Sequence, residues 1–475
     1  VVVNAGGLNP VGLAERLREI AKTLGVAPKI AHIEGDDLMP ELARLQAQGH
    51  ELRHLDTGAA LADMAPHVVT ANAYLGAWGI VTALEQGADI VVCPRVTDAA
   101  LVVGPAAWKF GWARDDWDRL AAGVVAGHII ECGTQCTGGN YSFFEEIPGL
   151  ERPGFPIAEM RADGSFVVTK HPNTGGRVSV GTITAQLLYE IQGLRYLNPD
   201  VTTRFDSIQL AQDGDDRVLV HGVKGEPPPA TTKVCINYLG GFRNSMTFVI
   251  AGLDIEKKAR LAEDTLWGLI GGREQFAAAD AQLIRSDRPD PVTNDDAFAY
   301  LRITVKDPDQ RKVGRAFSSK AVEMALASYP GFFLTSPPGD ASPFGVYWPT
   351  LVPSGEIDQR VVIDGAAYAV ALPRLAGSEA PATVEPVTVA AAPTGAVRRV
   401  PLGMVCGARS GDKGGNANVG FWVRTPEAYA WMEQALTIEK MQTLLPEAAG
   451  LEIERYALPN LLSVNFIVKG LLGEG

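Results

Sequence analysis

The sequence predicts an α/β fold: a mostly parallel sheet with flanking helices, a β-rich second half and a small C-terminal α+β domain. Three observations predict it. Short β-branched runs alternate with helical stretches through the N-terminal part of the chain. Past Gly154 the strand-like runs become more frequent. The last segment, from about Val400, reads strand, strand, helix, strand, strand.

The first strand is Val1-Val2-Val3. Asn9 then suits an N-cap and Pro10 the first helical position, where its missing N–H is not needed. The helix runs to about Leu24 and Gly25 stops it. Lys29 to Ile33 is the second strand. Helices follow over about Met39 to Gln48 and Ala73 to Gln86, stopped by Gly49 and Gly87. Asp89 to Cys93 has the continuous apolar character of a buried strand. This alternation is the pattern of a parallel sheet with helices on its faces. Further on, Ser165–Lys170, Lys233–Tyr238 and Phe298–Val305 read as strands, and Asp254–Ile270 and Gly314–Ala327 as helices. An Ala-, Pro-, Val- and Thr-rich stretch without periodicity, 381–399, reads as a linker between a main domain (1–380, with a subdivision near 150–200) and a tail (400–475). In the tail, Leu402–Cys406, Val419–Val423, Glu452–Tyr456 and Val464–Val468 are expected strands. Thr425 caps a helix over Pro426–Leu445. Four strands and a packed helix fit a ferredoxin-like arrangement.

In a parallel sheet, ligands bind beyond the carboxyl ends of the strands. Three such ends carry polar groups here: Asn4-Ala5-Gly6-Gly7, Glu34-Gly35-Asp36-Asp37 and Arg95-Val96-Thr97-Asp98. None has the Gly-x-Gly-x-x-Gly fingerprint of a dinucleotide site. The chain also holds six glycine pairs, most of them beside an asparagine. Paired glycines let the backbone take positive φ and let other groups approach it closely, and asparagine adds an uncharged donor and acceptor. Asn4, Gly6, Gly7 and Asn9, then Gly138, Gly139 and Asn140, then Asn173, Gly175 and Gly176 are therefore candidate lining for a polar or phosphate-bearing ligand. Plain turns are the competing reading.

The 475 residues predict two or three domains, and a net charge of −13 disfavours nucleic acid and anionic membrane as partners. Five cysteines form no disulfide framework, which fits a reducing cytoplasm. No apolar run reaches membrane-spanning length, and the chain starts inside a strand without a methionine, as a fragment or processed product would.

Candidate chemistry is concentrated in a few places. Asp98 can serve as a general base, with the Arg95 guanidinium holding a carboxylate or phosphate; the alternative is an N-cap paired with Arg95. Glu34, Asp36 and Asp37 offer the oxygen ligands of a divalent cation, or cap the next helix, with Asp37 also a catalytic candidate. His128, Cys132 and Cys136 have four-residue spacing but lack the paired-cysteine pattern of common zinc sites. His171 beside the Asn173–Gly176 loop is an acid–base candidate or a structural hydrogen bonder. In the tail, Arg409, Ser410, Asp412, Lys413 and Asn416 form a glycine-rich loop able to cradle phosphate or the diphosphate of coenzyme A. The loop lacks Walker spacing, and the chain lacks a Gly-x-Ser-x-Gly elbow, which excludes a P-loop NTPase and disfavours a serine hydrolase.

Several segments together resemble the acyclic terpene utilisation (AtuA-like) family: Asn4–Pro10 (NAGGLNP), Glu34–Leu38 (EGDDL), Ala71–Trp78 (ANAYLGAW), Arg95–Leu101 (RVTDAAL), Ala126–Gly133 (AGHIIECG), Thr137–Asn140 (TGGN), Gly154–Glu159 (GFPIAE), Lys170–Gly176 (KHPNTGG) and Gln186–Ile191 (QLLYEI). Ala408–Gly420 (ARSGDKGGNANVG) resembles the ferredoxin-fold domain that closes such proteins. Relatives carry a glycine-rich segment upstream of the position where this chain starts, and often extend further at the far end. The resemblance implies breakdown of branched isoprenoid acids as coenzyme A thioesters, beside acyl-CoA carboxylases, dehydrogenases and enoyl-CoA hydratases. The expected activity is a hydratase, dehydratase or thioester-cleaving step on a small-molecule acyl substrate, by a cytoplasmic homo-oligomer. A non-catalytic acyl-CoA-binding scaffold and a metal-dependent phosphohydrolase on Glu34, Asp36 and Asp37 are the alternatives.

Overall fold

A computed structural model describes residues 1–371, 384, 387, 389–396 and 398–473. The chain forms two compact units: Val1–Asp63 with Thr70–Ile236 and Tyr347–Gly475, and Met64–Val69 with Asn237–Val346. The expected linker, 381–399, falls partly outside the described residues, and its described residues form no helix or strand.

The first unit is built around a five-stranded sheet in the order Val2–Val3, Ile90–Val92, Ile30–Glu34, Arg360–Ile363, Ala366–Ala369. Val2 pairs with Val91 and Ile30 with Ile90 in parallel. The expected parallel core exists, but it is only those three strands. Val361 pairs antiparallel with Ile33, and the final two strands are a hairpin. The other sheets of this unit are antiparallel as well, so a mostly parallel sheet was the wrong expectation. The sheet is closed by a hairpin that returns from a remote part of the chain, which local alternation does not reveal.

Local chemistry sets the elements around this sheet. Asn9 accepts a hydrogen bond from the Gly12 N–H (2.9 Å) and so caps the helix Pro10–Leu24, which Gly25 ends in the left-handed conformation. Ala73 ends a strand, Val68–Ala73, and the helix expected from there begins only at Trp78. The β-branched start of Val68-Val69-Thr70 outweighs the helix-forming alanines that follow. Helix Trp117–Ile130 is buried along Leu120–Ile129. Gly127 packs so closely on Ala99 that a Cβ would overlap its Cα.

The tail is a four-stranded antiparallel sheet, ordered Gly407–Lys413, Asn416–Trp422, Ser463–Val468, Ile453–Leu458. Phe421, Val464 and Phe466 pack with Tyr429, Met432 and Met441 of its helices. Two expectations are corrected here. Leu402–Met404 is a 3₁₀ turn, and the strand starts at Gly407, where the Trp422 ring leaves no room for a side chain. The expected single helix is two, Pro426–Ala435 and Ile438–Leu444, the second capped by Thr437.

The second unit carries an antiparallel sheet in which Phe248 pairs with Leu301 and Leu283 with Leu301. Helices Ile255–Ile270 and Arg315–Glu323 pack on it through Leu266 and Phe317. Gly240, Gly241 and Asn244 lie in this unit.

Candidate functional site

The carboxyl ends of the parallel strands converge. Asn4 Nδ2 donates to Asp98 Oδ1 (3.0 Å), and Arg95 Nη2 lies 3.2 Å from Asp98 Oδ2. Asp98 does not cap the helix Ala100–Phe110, whose N-cap makes no side-chain bond. Its carboxylate is therefore held by Asn4 and Arg95 and stays half-exposed. The Arg95 guanidinium also donates to the Val96 carbonyl and stacks on Tyr74, 4.7 Å from the ring centroid. Asp36 is buried; it accepts bonds from Asn72 Nδ2 (2.8 Å) and the Arg95 N–H (3.3 Å), and burial raises its pKa.

Of these residues Tyr74, Arg95 and Asp98 line a cavity of about 620 Å³, lined entirely by the first unit, while Asn4, Asp36 and Asn72 stand behind the lining. Tyr74, Arg95, Thr97 and Asp98 come from the strand ends. Glu131 projects from the end of helix Trp117–Ile130, and Glu190 from the turn after helix Val180–Leu187. Arg195, Tyr196 and Leu197 form a short strand along one wall, and Lys233 and Tyr347 stand on another. Asp412 and Gly414 belong to the tail hairpin.

The electrostatics are mixed. Arg195 is paired with Glu226 (2.9 Å). Lys233 Nζ lies 5.8 Å from the ring centroids of Tyr74 and Tyr347. Burial, then the carboxylates of Glu131, Glu190 and Asp98, push the Tyr196 pKa up; burial does the same to Tyr347. Both phenols thus remain protonated donors at neutral pH. Beneath Glu131, His128 is fully buried against Tyr196 and Phe205, its Nδ1 3.3 Å from Glu131 Oε1.

Glu190 has a φ of 57°, a region costly for a residue with a Cβ. The tail holds it there. The Glu190 N–H donates to Asn418 Oδ1 (2.8 Å), and Asn418 Nδ2 donates to the Leu188 carbonyl (2.6 Å) and to Asn465 Oδ1 (2.9 Å). Asn465 Nδ2 donates in turn to the Ile191 carbonyl (3.3 Å).

Other expected site residues lie apart from the cavity lining. Gly6 packs on the Cys93 carbonyl, which a Cβ would approach to 2.5 Å. Gly7 takes a φ of 51° in the turn leading to the Asn9 cap. Asp37 accepts from the Met39 N–H (3.0 Å) just ahead of the 3₁₀ turn Met39–Glu41, whose N-cap is Leu38, and Glu34 pairs with His32 (3.0 Å). The Gly138-Gly139-Asn140 and Asn173–Gly176 turns pack near one another: Arg177 N–H donates to the Thr137 carbonyl (2.8 Å), and Gly175 lies against Gly149. His171 is exposed at that turn. The supposed tail loop is a strand, Gly407–Lys413, because it pairs with Asn416–Trp422 through a tight turn at Gly414 (φ 65°). Arg409 is buried, stacks on Tyr189 (4.2 Å) and donates to Gln135 Oε1. Ser410 faces an apolar groove, and Asn416 Nδ2 donates to Asp56 Oδ1 (2.7 Å). The Lys413 side chain lies outside the described residues.

Tyr74, Glu131, Glu190, Arg195, Lys233 and Tyr347 were not singled out from the sequence. Three of them sit inside segments already noted, ANAYLGAW, AGHIIECG and QLLYEI. The signal was a charged or phenolic residue at the end of an otherwise apolar element. Among the described residues, no group of three or more His, Cys, Asp or Glu is placed to hold a metal ion, and no helix is long and apolar enough to cross a membrane.

Residues 1–363 match the family model of acyclic terpene utilisation family protein AtuA, and residues 400–475 match the AtuA ferredoxin-like domain. No curated protein and no solved structure matches the chain significantly.

Proposed function

The chain belongs to the acyclic terpene utilisation family AtuA, and from that premise we propose that it is an acid–base enzyme of terpene catabolism. The reaction is the addition or removal of water on an acyl intermediate, presented as a carboxylate or its thioester. One observation carries this reading: Asp98, Glu131 and Glu190 line the same cavity as Arg95 and two phenols that stay protonated.

In the hydration direction Asp98 accepts a proton from water as the oxygen bonds the β-carbon. The electron pair of the double bond moves toward the acyl carbonyl, whose developing charge Arg95 and the tyrosine hydroxyls stabilise. The α-carbon then takes a proton from a neighbouring acid. Asn4 and Arg95 fix the Asp98 carboxylate in one orientation, which lowers the reorganisation needed in the transition state.

The test is a panel of branched 2-enoyl and 3-hydroxyacyl acids and thioesters, followed by loss or gain of the enoyl absorbance. Turnover should fall at least a hundredfold in Asp98→Asn while the melting temperature stays within a few degrees. Turnover that survives this substitution refutes the assignment. Binding without any turnover across the panel would instead favour a non-catalytic carrier.

A further inference from the structure

We infer that Glu131 is the acid that delivers the proton to the α-carbon, and that the buried His128 positions it. The inference rests on the hydration reading of this cavity and names a second group for the same reaction.

The fold brings Glu131 to Asp98. Gly127 presses the helix Trp117–Ile130 onto Ala99, the residue after Asp98, with no room for a Cβ between them. Glu131 keeps helical backbone angles, and its N–H donates to the Gly127 carbonyl (2.9 Å). Four residues on from Gly127, it lies on the same face of that helix. Both carboxylates line the cavity, and the charges of both reach Tyr196.

The two carboxylates have different partners. Asp98 is held by the Asn4 amide and the Arg95 guanidinium. Glu131 stands over an imidazole. His128 Nδ1 lies 3.3 Å from Glu131 Oε1, and the ring is fully buried against Tyr196 and Phe205. Neither ring nitrogen makes an aligned hydrogen bond within the described residues. A buried polar ring left this poorly satisfied calls for an explanation, and a catalytic role is one. Contacts of such groups are often loose before substrate binds and tighten with it. With its proton on Nδ1, the ring donates to the carboxylate that Glu131 becomes once its own proton has left. That stabilises the state after transfer and holds the acid in place beside Asp98.

The protons balance. In hydration Asp98 takes a proton from water as the oxygen bonds the β-carbon, and the double-bond pair moves toward the acyl carbonyl. As that pair returns, the α-carbon takes the Glu131 proton. Solvent then removes the proton from Asp98 and returns one to Glu131. In dehydration Glu131 removes the α-proton first, and the β-hydroxyl leaves as water with the proton of Asp98.

The experiment places the 3-hydroxyacyl acids and thioesters of the panel in deuterium oxide with the full chain. Absorbance reads dehydration, and mass spectrometry reads deuterium at the α-carbon. Asp98→Asn should stop dehydration and still allow deuteration, because the α-proton leaves before the hydroxyl. Glu131→Gln should lower both by at least about a hundredfold, as loss of an acid–base group does. His128→Leu should lower kcat about tenfold with KM unchanged, the loss of one hydrogen bond to a charged group. His128→Asn returns a donor near the Nδ1 position and should recover most of that loss; if the leucine variant does not fold, the asparagine variant is compared with the unaltered chain. Deuteration that survives Glu131→Gln overturns the assignment of the acid, and leaves the cavity reading standing where Asp98→Asn still stops dehydration. Unchanged kcat in His128→Leu, or a tenfold loss in His128→Asn, overturns the positioning role. Neither turnover nor deuteration of any probe by the unaltered chain overturns both readings.

Discussion

Asn418→Ala is the most informative single change, because one side chain joins the tail to the cavity. Asn418 is 3% exposed and makes three hydrogen bonds, to the Glu190 N–H, the Leu188 carbonyl and Asn465. Each contributes about 1 kcal/mol net, and alanine leaves the buried partners without a replacement. Release of Glu190 from positive φ returns about 1 kcal/mol, so the net local cost is about 2–3 kcal/mol. Asn416, two residues earlier on the same strand, also makes side-chain bonds, to Asp56 and the Gly470 N–H. Those bonds are exposed, water replaces them, and Asn416→Ala should cost less than about 1 kcal/mol. Hydrogen exchange read by mass spectrometry separates the two. Amides of 188–191 should open about 30- to 150-fold more often in Asn418→Ala, and hardly more in Asn416→Ala. Equal effects of the two substitutions, or unchanged exchange at 188–191 in Asn418→Ala, would refute the clamp.

Two further changes probe the frame of the site. Asp200 is buried with one backbone bond, from the Ala77 N–H (2.8 Å), and desolvation pushes its pKa up to about 6. The folded carboxyl then holds its proton more tightly than the unfolded chain does, so this group adds stability as pH falls through about 6 and removes it as pH rises. Asp200→Asn should flatten the melting temperature between pH 4 and 7, by an amount worth at most about 3 kcal/mol, with Asp36 retaining part of the slope; an unchanged slope refutes this. Gly175→Ala places a Cβ inside the Gly149 carbonyl. It should lower the melting temperature by several degrees, about 1–3 kcal/mol, with cavity affinity unchanged per folded molecule. Lost affinity at a constant melting temperature would restore the glycine turn as a ligand cradle.

Legibility in the sequence followed the range of the interaction. The cap at Asn9, the stop at Gly25 and the strand before Arg95 are decided by neighbours a few residues away, and they were readable. So was the meeting of Asn4, Arg95 and Asp98, because parallel strands must present their carboxyl ends on one edge. The hairpin Arg360–Ala369 was not readable, since nothing local ties it to Ile33. Glycine was the most ambiguous signal. Gly6 and Gly175 are required by backbones packed against them, and a close approach by protein leaves the same mark on a sequence as a close approach by ligand. Glu131 and Glu190 were missed because each follows an apolar helix, where a carboxylate reads as the first solvated residue.

The tail therefore acts on the cavity in two ways that differ in kind. Its hairpin contributes Asp412 and Gly414 directly to the lining. Its buried asparagines contribute nothing to the lining and instead fix the backbone that carries Glu190. The second role explains the chemistry of the GGNANVG segment better than phosphate binding does. A cradle needs free N–H groups, whereas most N–H groups of Asn416–Trp422 are committed to pairing with the strands on either side. What remains available are side chains, and asparagine is the residue that can satisfy a donor and an acceptor at once without bringing charge into a buried joint.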